Sequence, residues 1–144
     1  MNGFLGTGAP LLSDISLIIS ISLVIIASFG GIQAHRKRFS THCPVMAITA
    51  FLNWIPIIIT MIPIWFRFVL GNPLFQGGLY TNILFIHGVL GGITQLIMMY
   101  TVTRMYWVPS LPPKKPIWLM RITISLWFLV VLGGIGGYLL LYVL

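Results

Sequence analysis

The chain has 144 residues, 58% of them hydrophobic and 6% charged, with a formal net charge of +7. Soluble globular domains carry roughly 25% charged residues, so a fully water-covered surface is excluded and most of the exterior must face lipid or other apolar protein. The single carboxylate, Asp14, leaves no partner for two-carboxylate acid–base chemistry and no oxygen cluster for a hard cation.

Four apolar runs are each long enough to cross a ~30 Å hydrocarbon core, which takes about 20 helical residues. The first is expected over about 15–34, with Ser13 or Asp14 as N-cap. The stretch HRKRFSTHCP, His35–Pro44, follows; it holds the densest charge, two of the three histidines and the only cysteine. The second helix is expected over about 44–66, beginning on Pro44 and kinked by Pro56 and Pro63, which lack backbone donors. A turn-rich loop, RFVLGNPLFQGG, leads to a third helix over about 80–103, and a Pro-rich loop, VPSLPPKKP, to a fourth over about 117–143. No linker of domain length interrupts the series. The expected fold is all-α: residues 1–144 form a single membrane domain, a four-transmembrane-helix bundle.

Orientation follows from the cations. Arg36, Lys37 and Arg38 occupy the first loop, while Arg104, Lys114, Lys115 and Arg121 surround the third. Only Arg67 and Asp14 lie at the other end. The positive-inside rule then puts both termini outside the cell membrane and loops one and three in the cytoplasm, against lipid headgroups. Trp65 and Tyr80 are expected at the outer interface, and Trp107 and Trp118 at the inner one. Because the basic residues cluster at helix ends, they mark topology and not a nucleic-acid surface.

Helical rise places Asn53 and Gln95 at one depth. An interhelical hydrogen bond is the favoured reading, with a polar lining for a quinone or proton path as the alternative. Gly88 and Gly92 on helix three, and Gly133 and Gly137 on helix four, have small-xxx-small spacing. They predict a close seam between those helices, with docking against another subunit as the competitor.

Histidines inside a membrane invite a haem or metal reading. His42 and His87 are expected roughly 25 Å apart in depth by helical rise, too far to share one haem iron. Separate sites stay open. His35, His42, Cys43 and Met46 offer nitrogen and soft sulfur to copper, zinc or haem iron, or else belong to a solvated basic loop. His87 is either a neutral histidine bonded to Tyr138 or Asn82, or a ligand or quinone contact.

With GFLGTGAP and Asp14 before helix one, HRKRFSTHCPVM entering helix two, His87 in helix three and Arg121 near the start of helix four, the chain resembles domain of unknown function 420, the four-helix family that includes CtaM-type oxidase assembly factors. The resemblance covers nearly the whole chain. It implies a small membrane protein working with haem–copper oxidases and similar redox enzymes. It also implies two further histidines, one at the outer end of helix two and one at the inner start of helix four. Arg67 or Phe68, and Pro116 or its neighbours, stand there instead. The expected function is therefore a non-catalytic accessory or assembly subunit of a membrane oxidase or monooxygenase complex, surrounded by lipid and other integral membrane subunits, with no cofactor of its own. The alternative is a small b-type protein carrying haem b or copper at His42 and His87 separately. A small transporter or channel is the third reading.

Overall fold

The computed structural model describes residues 3–67, 78–113 and 116–143. Among these residues four helices are long and apolar enough to cross a membrane. They are α1 (Leu11–His35), α2 (Phe39–Trp65), α3 (Gly78–Tyr106) and α4 (Ile117–Tyr142). Each packs on the next, and α4 returns to α1, which closes an up-down-up-down ring. Among the described residues there is no strand. The chain is a multi-pass membrane protein, and the long hydrophobics on its rim, such as Ile25, Ile58, Leu96 and Leu129, are exposed where lipid would contact them. One end of the bundle carries both termini; the other carries the basic loop.

Lipid offers the backbone no partners, so helices that satisfy their own N–H and C=O groups are the solution open to these runs. Hydroxyls inside them follow the same rule. Thr49, Thr94, Thr101 and Thr123 donate to the carbonyl four residues back at 2.7–2.9 Å, which leaves none of these four hydroxyls unpaired.

The helices extend further than expected at the basic end. α2 starts at Phe39 and not at Pro44, so His42 and Cys43 lie on a helix, and Pro44 sits one turn inside it. The connection shrinks to Arg36–Arg38. It is a Schellman motif: the Lys37 and Arg38 amides donate to Ala34 O and Gln33 O, both at 2.9 Å. Lys37 adopts the left-handed conformation this closure requires, with φ 57°.

Pro56 and Pro63 reshape α2. The helix breaks at Asn53, resumes over Trp54–Pro56, widens to a π-helix over Ile57–Met61 and returns to α geometry over Ile62–Trp65. Neither proline can donate to the carbonyl four residues back, and a wider turn absorbs the mismatch.

At the terminal end the expected N-cap role of Ser13 or Asp14 is replaced. Pro10 caps α1, and Asp14, fully buried, ties three segments together. It accepts from the Leu5 amide at 2.9 Å and from the Tyr138 hydroxyl at 2.5 Å. Tyr138 has spent its proton on Asp14, so Thr7 Oγ1, 2.8 Å away, donates to it. Residues 3–9 fold over this carboxylate, closed by Gly3 N to Ala9 O at 2.7 Å. A Cβ on Gly3 would stand 2.1 Å from Asp14 Oδ2, so only glycine fits there.

The solid core, Leu23, Ala27, Ala50, Met98, Val102 and Trp127, fills the middle of the bundle and the half toward the basic loop. Trp127 is its largest member and meets Phe128 edge-on at 5.3 Å.

Candidate functional site

Toward the terminal end the ring of helices does not fill its centre. A cavity of about 710 Å³ lies between all four, within the size range of small-molecule sites. Its origin is visible in the residues. The α2 winding change lies in one wall, with Ile57, Thr60 and Met61 lining it, and glycines of α3 and α4 contribute no side-chain volume to the others. Gly92 and Gly137 both border it, and a Cβ on either would meet nothing within 4 Å.

Polar groups enter this space from several walls. Ser13, Ser16 and Ser20 form one stripe of α1, at the i, i+3, i+7 spacing of a single helical face. Asn53 and Gln95 meet across α2 and α3. Asn53 Nδ2 donates to Gln95 Oε1 at 2.8 Å, and Gln95 Nε2 donates to Ala50 O at 3.1 Å. This is the interhelical bond expected from depth. The helix break at Asn53 sits beside it, because Pro56 cannot supply the next turn's donor.

His87 borders the cavity from α3. The expected bond to Tyr138 is not made, since the Tyr138 hydroxyl is held by Thr7 and Asp14. Instead the imidazole lies against the backbone of α4, where a Cβ on Gly133 or Gly134 would stand 3.4–3.5 Å from its ring. Its ring nitrogens have no protein partner among the described residues and are not sealed from the cavity.

The glycine seam therefore works differently from the expected backbone-to-backbone approach. α3 and α4 are neighbours, but Gly133 and Gly134 make room for His87. Gly88 makes room for Trp65 of α2, whose indole would lie 2.4 Å from an added Cβ. Trp65, expected at the outer interface, packs inward between helices. It stacks on Phe85 at 6.1 Å, and its buried Nε1–H, like that of Trp127, has no acceptor among the described residues. Trp107 and Trp118 are exposed at the basic end, as an interfacial role requires.

The basic-end set is only partly brought together. His35 closes α1 and is exposed. His42 Nδ1 lies 2.9 Å from Gly30 O, and Met46 packs on the same glycine, where a Cβ would stand 2.8 Å from Sδ. No three of His, Cys, Asp and Glu gather as a metal-holding group among the described residues. Cys43 is a free thiol, half-buried on the helix. His42 and His87 belong to opposite halves of the bundle, as depth predicted. Arg36, Lys37, Arg38 and Arg121 are exposed; Lys114 and Lys115 lie outside the described residues, as do Phe68 and the side chain of Tyr80.

Two arrangements were not read from the sequence. One is the Thr7–Tyr138–Asp14 relay, although a glycine-rich segment before the only acid was its signal. The other is Arg104. It is buried and binds the Pro-rich loop, donating to Leu111 O at 2.7 Å and Pro113 O at 2.8 Å, while Tyr100 donates to Pro112 O at 2.5 Å. Compared with family models, curated proteins and solved structures, the chain matches none.

Proposed function

We propose that this protein is a non-catalytic accessory or assembly subunit of a larger membrane redox complex, of oxidase or monooxygenase type. The observation that carries the reading is where the polar side chains go. Asp14, the only carboxylate, is consumed in holding the N-terminal segment to α4. His42 is bonded across the α1–α2 hairpin, Asn53 and Gln95 join α2 to α3, and Arg104 holds a loop. Groups of the kind that do acid–base work elsewhere are here structural. The resemblance to domain of unknown function 420 supplies the kind of complex. The exposed cations at the basic end support a cytoplasmic location for loops one and three, with both termini outside.

Affinity purification in mild detergent tests it. The expected result is stoichiometric co-purification of integral membrane subunits carrying redox centres. A protein that isolates alone, as a stable monomer from its native membrane, overturns it.

A further inference from the structure

We propose that the cavity beside His87 is a binding site for a lipophilic para-quinone, with the ring between His87 and the Asn53–Gln95 pair. Three features select this ligand. First, none of the described residues lining the cavity is Lys, Arg, Asp or Glu. A phospholipid phosphate buried there would lack a counter-charge, whereas a neutral ring needs none. Second, the polar atoms on offer suit carbonyls. Among the described residues His87 has no protein partner, and Asn53 uses one amide hydrogen on Gln95, keeping its second hydrogen and its carbonyl. A plain acyl chain would leave all of these unpaired. Imidazole and amide can both donate or accept, so the same two stations suit quinone carbonyls and quinol hydroxyls alike.

Third, the depths are compatible. His87 and Gln95, the residue that holds Asn53, are eight residues apart on α3, a backbone rise of about 12 Å. Two para carbonyl oxygens lie about 5 Å apart, and a hydrogen bond of about 3 Å at each end brings the span to about 11 Å. The alkyl tail has an exit, because the cavity rim includes the exposed residues Ile62, Phe66, Ile83 and Leu140. The π-helix in the wall is a feature that often marks functional positions in helices.

The inference does not rest on the accessory role, and its test uses the isolated protein. The full chain in nanodiscs is titrated with a decyl-substituted 1,4-benzoquinone while tryptophan fluorescence is followed, since Trp54, Trp65 and Trp127 border the cavity. The expected result is saturable quenching. His87→Leu and Asn53→Leu should each weaken it by about tenfold, the scale of one lost hydrogen bond, and His87→Gln should restore part of it. Gly137→Phe should fill the cavity and abolish saturation. Gly136→Phe, beside it but not lining the cavity, should leave binding unchanged. Should Gly137→Phe fail to fold, Gly92→Phe on another wall decides in the same way. Linear quenching that is equal in the cavity-filling variants overturns the proposal. So does saturable binding unmoved by both leucine variants, or competed equally well by a decyl chain without a ring.

Discussion

The half of the bundle toward the basic loop and the half toward the termini are built from the same four helices and almost the same residue types, yet one is solid and the other hollow. In the solid half, Leu23, Ala27, Ala50, Met98 and Val102 interlock around Trp127, and a three-residue turn holds α1 against α2. In the hollow half, prolines widen α2, glycines remove side chains from α3 and α4, and a buried carboxylate holds the N-terminal segment to α4. Lipid gives no hydrophobic force to press helices together. Packing closes one half, and hydrogen bonds around a space hold the other.

The comparison breaks first at Trp127. Trp127→Ala should cost about 3–5 kcal/mol, the range for emptying a large core site, seen as a lower unfolding midpoint in detergent. If the hollow half were the real source of stability, the loss would be small. Next, Tyr138→Phe removes the hydroxyl that Asp14 accepts from. It should lower the melting temperature by several degrees and speed hydrogen exchange at the Leu5 amide. Normal protection there would show that the N-terminal segment does not depend on this bond.

Gly88→Ala drives a methyl into Trp65 and should destabilise, while Gly92→Ala meets nothing and should be silent. Equal effects would restore the backbone seam between α3 and α4. The Asn53–Gln95 bond should show a coupling of about 0.6–2 kcal/mol in a double-mutant cycle with leucines. The smallest effect is at the basic turn. Lys37→Gly should stabilise by about 0.5–1 kcal/mol, because glycine occupies positive φ without Cβ strain.

The resemblance suggested one histidine-based site per side, but each histidine has found a different structural setting. His42 serves the hairpin, and His87 faces a cavity that no spacing rule revealed. Asn53 and Gln95 were legible because depth along two helices is simple arithmetic from the turn positions. His87 was legible as a candidate contact residue, but its surroundings were not, because they depend on which way the glycine faces of α4 turn.

The sequence by itself determined the four helices, their order and the clustering of cations at one end. Those properties follow from local apolar length and charge, which membrane insertion reads directly. Only the tertiary structure decided the partner of Asp14, the role of each glycine and the presence of a cavity. Each of these depends on helix rotation and on the changed winding after Asn53. A shift of a single residue turns a helical face by about 100°, and a π-turn introduces such a shift. Apolar runs this uniform leave that rotation unmarked, so packing alone selects it.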